Sequence, residues 1–479
     1  MPPESSLAVF VKRDCPTCQL VEPVVRALST STSAIAVYSQ DDPGFPANLT
    51  AVVDDRELGA SFRHGIEIVP TLIRFENGRE VTRTEGWDMK EWRRVSGIAD
   101  LGEGLPPLRP GCGSKSVQPG VAEHLQVRFG NPGIKARKIE FGEYDDPVEV
   151  CFERGWSDGL PVVPPTDVRV LRMLQGTTRA PGEVLGSIPP NLAECTVEKV
   201  AINAVMAGCK PEYMPVVLAA LEAALEPVFT LHGLLATTYF SSPIIIVNGP
   251  VAKRIGMNSG LNALGQGNRA NATIGRALQL IVRNVGGGRP DEVDRATLGG
   301  PGKYTFCFAE DESDPGWEPL SVSRGFAPGV STVTLFQGDG VQGFIDQKSR
   351  SPEDLARSLA MGLNAIGHPK LALMQRAILV LSPEHYAIFS AANWDRRRIE
   401  QAIGVATVRA GEDLIAGAQG VGEGIPASQA GEAVPKFFDG GLMIVRAGGP
   451  AGLFSAILPG WPAGRNRLEL QPVTKEIKS

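Results

Sequence analysis

Two cysteines two residues apart, Cys15 and Cys18, stand at the seam between an apolar run, residues 7–11 (LAVFV), and a helix-patterned stretch, residues 19–28. No other feature constrains the fold as tightly. A C-x-x-C pair at a strand-to-helix turn can cycle between dithiol and disulfide. A helix N-terminus favours thiolate over thiol, so Cys15 is expected to be the reactive sulfur. The alternative is a structural or zinc-binding pair. Against it, the sequence has no second C-x-x-C and no Cys/His pair nearby.

Three further signals follow in order. Pro23 lies where a proline kinks the helix behind the dithiol, and Val69-Pro70 offers an X-Pro bond expected to be cis. Residues 71–86 (TLIRFENGREVTRTEG) read as strand, Asn-Gly hairpin, strand. On these residues the first hundred positions resemble the thioredoxin superfamily. The resemblance implies that Cys15 attacks, Cys18 resolves and Pro70 is the substrate-side cis proline. Two positions depart from it. Val9 stands where typical thioredoxins carry a buried aspartate, and Asp14 where they carry tryptophan. The Cys-Pro-Thr-Cys sequence is closer to glutaredoxin-type dithiols, with potentials of about −200 to −230 mV against about −270 mV for thioredoxin.

With 479 residues, the chain exceeds one ordinary domain, and 43% hydrophobic against 21% charged residues describes a soluble globular protein. A net charge of −6 without a basic cluster gives no footprint for nucleic acid. No apolar run reaches the ~18 residues of a membrane span, and the opening MPPESS lacks the basic start of a signal peptide. A cytoplasmic location is expected, and seven cysteines, five of them scattered, fit a reducing compartment. The expected fold class is α/β: residues 1–98 a thioredoxin-like dithiol domain, residues 99–147 a Gly/Pro-rich linker, and residues 148–479 a large α/β domain with a possible division near 311.

Within the expected linker, Cys112 sits between Gly111 and Gly113, three residues before Lys115, which would favour its thiolate if the side chains met. It reads either as a shuttle between the dithiol and the large domain or as an incidental thiol in a hinge. Cys112-Gly113-Ser114 also resembles the selenocysteine-or-cysteine, Gly, Ser, Cys motif of certain bacterial proteins, with Lys115 in place of its last cysteine. The large region resembles a widespread bacterial family through residues 153–161 (ERGWSDGLP), 198–209 (EKVAINAVMAGC) and 382–385 (SPEH). That resemblance implies no particular reaction.

In the large region, residues 257–276 (MNSGLNALGQGNRANATIGR) combine glycines and asparagines ahead of a helix capped by Asn271 or Thr273. Backbone N–H groups there, with Asn258, Asn268, Arg269, Asn271, Arg276 and Arg289, suit a carboxylate, phosphate or oxyanion. The rival is an asparagine-rich structural loop. Cys209, beside Lys210, is a candidate low-pKa thiol or a packed small hydrophobe. His232 and His385 lie near strand ends and are candidate acid–base groups. No cofactor is expected. No local spacing gives a metal site, although one assembled from distant residues in the large domain stays open. The expected activity is thiol–disulfide exchange, with Cys112 or Cys209 as internal client, feeding a thiol-dependent reductase or lyase step on a small, anionic substrate. An external thiol reductant or reductase and a homo-oligomer are the partners considered. The alternative is a redox-regulated ligand-binding or scaffold protein without turnover.

Overall fold

The central strand of the first unit is the apolar run itself. In the computed structural model, which describes residues 5–32, 34–49, 51–462 and 470–478, the chain folds as two units, Met1–Pro132 and Gly133–Ser479. Residues 1–4, where the absence of a signal peptide was read, lie outside the described residues. Strand β1 (Ser5–Val11) pairs parallel with β2 (Ile35–Ser39) and antiparallel with β5 (Thr71–Glu76). With β3 (Val52–Asp54) and β6 (Arg79–Glu85) they form a five-stranded mixed sheet in the order β3-β2-β1-β5-β6. Leu7 to Val11 are all buried because helices cover the middle strand on both faces.

Helix α1 (Pro16–Leu20) breaks at Val21 and resumes as α2 (Glu22–Ser31). Pro23 lies in the first turn of α2, where its missing N–H costs nothing. After α3 (Gly59–Arg63), β4 (Ile68–Val69) leads through a cis Val69–Pro70 bond into β5. Asn77 and Gly78, both at positive φ, make the tight hairpin between β5 and β6. Strand β7 (Trp87–Asp88) then feeds α4 (Met89–Ser96), whose N-cap Asp88 accepts from the amides of Lys90 and Glu91.

The chain does not loosen into a tether at residue 98. Strand β8 (Leu108–Arg109) pairs with β7, β9 (Cys112–Gly113) pairs with β4, and α5 (Val121–Phe129) sets the Phe129 ring against Phe62 of α3. The expected linker is therefore divided, and residues 99–132 complete the first unit. Their glycines and prolines serve a close-packed strap, which composition alone cannot tell from a flexible one.

The second unit is mixed α/β. One sheet runs Cys307–Ala309, Ser242–Asn248, Thr332–Gly338, Val473–Glu476, and another runs Gln342–Ile345, Phe454–Pro459, Ala377–Leu381, Leu442–Arg446. Strand Ser242–Asn248 is buried on both faces. Ile245 and Val247 join a helical core, while Ile244 and Ile246 meet Ile378, Val380 and Leu458 of the other sheet. This second cluster carries one core across residue 311, where a division was expected. Buried Glu310, bound to Arg396 at 3.1 Å, ties the same two sides. Among the described residues no single helix is long and apolar enough to cross a membrane. The apolar helix Met214–Ala224 is buried in the helical core.

Candidate functional site

Cys15 is the N-cap of α1, and its Sγ accepts from the Cys18 amide at 3.3 Å. The turn before it is held from β2's end: Asp41 accepts the amides of Arg13 at 2.7 Å and Asp14 at 3.1 Å. Across the turn, the Val69 carbonyl oxygen lies 3.6 Å from Cys15 Sγ, a contact only the protonated thiol can use as a hydrogen bond. Cys15 and Cys18 thus share one turn, with the carbonyl of Val69, the residue before the cis Pro70, beside Cys15.

A third thiol joins them. Register in the β4–β9 pair sets Cys112 opposite Val69, and the Thr17 hydroxyl, between the two cysteines, donates to the Pro110 carbonyl at 2.6 Å. Below the strap, the Gln40 amide donates to Ser61 at 2.8 Å and Ser114 at 2.7 Å, while its carbonyl accepts from the Lys115 amide. The Ser114 amide donates to Glu67 O, and the Ser116 hydroxyl to Ile66 O. Cys15, Cys18 and Cys112 are all free thiols here.

Their electrostatics differ sharply. Cys15 is pulled down to about 5, first because the Cys18 thiol donates to it. Burial opposes this, and the Cys112 thiol with the amides of Cys18 and Thr17 adds to it. Cys18 is pushed far above the ordinary thiol range by burial and by its donation to Cys15. Cys112 is raised by burial and by its hydrogen bond to Cys15. Lys115, expected to favour a Cys112 thiolate, lies 3.8 Å from Asp14 and 3.9 Å from Asp41 instead. The charge that lowers Cys112 against the net rise comes from Lys12. One sulfur is thus drawn toward thiolate, while its two neighbours are held toward thiol. Val9 is buried, so no acid occupies the place of the thioredoxin aspartate.

The candidates in the second unit meet a different fate. Cys209 is a correction: its thiol is buried, lies 3.3 Å from Thr273 O and is pushed up to about 12 by burial. Cys151, Cys195 and Cys307 are buried and raised for the same reason. The helix after the glycine-asparagine loop is Arg269–Asn284, capped by Asn268 rather than by Asn271 or Thr273. Asn268 also donates to Gly256 O at 2.8 Å, and Asn258 to Leu261 O at 2.8 Å. The Asn271 amide bonds Asn258 and Ala263. Arg269 is spent on Gly208 O at 2.8 Å, and Arg276 forks onto Asp158 at 2.7 and 2.8 Å. The three asparagines thus bond within or beside their own loop, and the two arginines are engaged by Gly208 and Asp158. Arg289 keeps a buried Nε without a partner. A cavity of about 460 Å³ nearby is lined by Asp158, Arg283, Asp294 and Lys303, but Lys303 is already bound to Asp294 at 2.8 Å. His232 is exposed on a short helix. His385 is buried with both ring nitrogens engaged, Nδ1 to Ser455 Oγ at 2.7 Å and Nε2 to Asp346 O at 3.0 Å, so it ties elements together. Among the described residues no group of three or more His, Cys, Asp or Glu side chains is placed to hold a metal ion.

Sequence reasoning missed Asp41, Gln40, Ser61 and Ser114, which hold the turn and the strap. No local pattern marks them, because their partners lie up to 75 positions away.

In fold the first unit is thioredoxin-like: a mixed sheet whose central strand ends in a C-x-x-C turn facing a cis proline. No protein-family model matches the chain, and no curated protein does. Solved structures similar to it include thioredoxin O2 from Arabidopsis thaliana in the oxidised state, at 22% identity over 19% of this chain and 72% of that one, with a TM-score of 0.15. Thioredoxin f2 of Chlamydomonas reinhardtii gives 20% identity over 19% and 75%, and a mutant thioredoxin from Halobacterium salinarum NRC-1 gives 27% over 22% and 79%, each at a TM-score of 0.15. The likeness is confined to about a fifth of the chain, so the chemistry rests on the site's own geometry.

Proposed function

We propose that the first unit is a thiol–disulfide oxidoreductase in which Cys15 is the attacking sulfur and Cys18 the resolving one. The observation that carries this reading is the asymmetry within one turn, with Cys15 drawn down to about 5 and Cys18 held protonated beside it. A thiolate forms a mixed disulfide by attack on an incoming disulfide sulfur. The neighbouring thiol then attacks Cys15 Sγ and releases the reduced client. Pro70 and the Val69 carbonyl line the side from which the client reaches the turn.

The client is a disulfide of another molecule. The second unit's four thiols are buried in its own interior, which removes Cys209 as internal client and leaves a thiol-dependent reductase or lyase step there without a sulfur. Restoring the dithiol requires an external thiol reductant or a reductase. The test is reduction of glutathione disulfide by the full chain. Wild type is expected to turn over with a dithiol reductant, and Cys15→Ser to fall to the protein-free rate. Equal rates for wild type and Cys15→Ser would end the proposal.

A further inference from the structure

Of the three clustered thiols, solvent reaches the third. Cys15 and Cys18 are 0% exposed, whereas Cys112 is partly exposed. The strap lies against the dithiol turn through the Thr17–Pro110 hydrogen bond and the pairing of Cys112 with Val69, whose carbonyl is the one beside Cys15 Sγ. Gly111 makes this approach possible. A Cβ there would fall 2.3 Å from Ile68 Cγ2 and 2.8 Å from the Val69 oxygen, so any side chain would lift the strap away. Ser114 and Ser116, anchored to Gln40 and Ile66, fix the strap just beyond Cys112. The partly exposed Cys112 is therefore the thiol of the three that solvent reaches, and it stands opposite Val69, whose carbonyl lies 3.6 Å from the Cys15 sulfur.

We propose that Cys112 is the thiol that receives a client disulfide, and that the covered Cys15–Cys18 pair is its built-in reductant, a three-cysteine relay. This rests on the dithiol reading above. In the first step Cys112, giving up its proton, attacks one sulfur of R–S–S–R′. A Cys112–S–S–R bond forms, and R′–S⁻ leaves and is protonated. The Cys15 thiolate then attacks Cys112 Sγ, forming a Cys15–Cys112 disulfide and expelling R–S⁻. Cys18 attacks Cys15 Sγ last, and its proton passes to the departing Cys112 thiolate. The expelled R–S⁻ takes its proton from water, so one client disulfide becomes two thiols, the Cys15 thiolate and the Cys18 thiol become a disulfide, and two electrons and one proton have left the protein.

The experiment uses the full chain with Cys18→Ser, glutathione disulfide as the probe, blocking of free thiols and peptide mapping by mass spectrometry. The relay gives a Cys15–Cys112 disulfide with no retained glutathione. Glutathione held on Cys15 beside a free Cys112 overturns the relay and leaves the dithiol reading standing. Glutathione held on Cys112 beside a free Cys15 overturns the transfer step and the relay with it. No adduct and no disulfide at either sulfur overturns both readings. As a second measurement, the near-isosteric Cys112→Ser is expected to slow glutathione disulfide reduction about tenfold or more, the loss expected when a held partner is removed. A Cys112→Ser rate equal to wild type overturns the relay, while loss of turnover in Cys15→Ser still upholds the dithiol.

Discussion

One cysteine of the first unit, Cys15, has the opposite chemistry to the cysteines of the second. In Met1–Pro132 a sulfur at a helix N-cap accepts from two thiols and two amides and is drawn down to about 5. In Gly133–Ser479 the Cys209 sulfur, enclosed by helices and facing a carbonyl oxygen, is pushed up to about 12, and Cys195 likewise. Both environments are buried, so burial alone does not decide. The difference is the donors: charge on a buried sulfur is stable only where hydrogens point at it.

The largest effect that tests this contrast is on activity. Cys15→Ser is expected to bring glutathione disulfide reduction to the protein-free rate, while Cys209→Ala leaves it unchanged, as read by a coupled thiol assay. Next comes pH. If Cys112 meets the client first, exchange should fall as pH drops below the ordinary thiol value of 9.0, because its raised thiol must ionise; exchange by Cys15 directly, as in Cys112→Ser, should hold down to about 6 and fall through about 5. Stability carries the same sign. Cys15's folded value is depressed, so its contribution to the reduced protein is complete above its ordinary value of 9.0 and is lost as pH falls through about 5. Cys195 and Cys209 have raised values, so their contribution is complete below 9.0 and is lost as pH rises toward about 12. Denaturant midpoints of reduced and oxidised protein across that range check both limbs. Oxidation of the Cys15–Cys18 pair should remove the limb between about 5 and 9.0, together with the share of the alkaline limb that Cys18 contributes, and leave the share of Cys195 and Cys209.

Gly111→Ala comes third. Its Cβ overpacks Ile68 and the Val69 carbonyl, so a loss of about 1–3 kcal/mol is expected, with faster labelling of Cys15 by a thiol reagent. Unchanged labelling would mean that the strap does not shield the dithiol. The smallest effect is Cys209→Ala, expected to cost about 1 kcal/mol through lost burial alone. A larger cost, or any loss of exchange, would break the contrast between the two units.

What the residues alone decided is local. The apolar strand, the Cys15–Cys18 turn, the helix break at Val21 just before Pro23 and the Asn77-Gly78 hairpin each follow from chemistry within a few positions. Strands Ala377–Leu381 and Leu442–Arg446 were legible for the same reason, as short apolar runs bounded by turn residues. The asparagines of residues 257–276 were visible as a loop, but whether their amides faced a ligand or one another was not, because a side-chain amide serves either purpose. Tertiary structure decided the company each sulfur keeps. Thr17 meets Pro110 across 93 positions, Cys15 meets Val69 across 54, and Cys209 meets Thr273 across 64. A thiol's acidity depends on the few atoms that touch it. Those atoms are brought by chain folding, which composition and spacing do not encode.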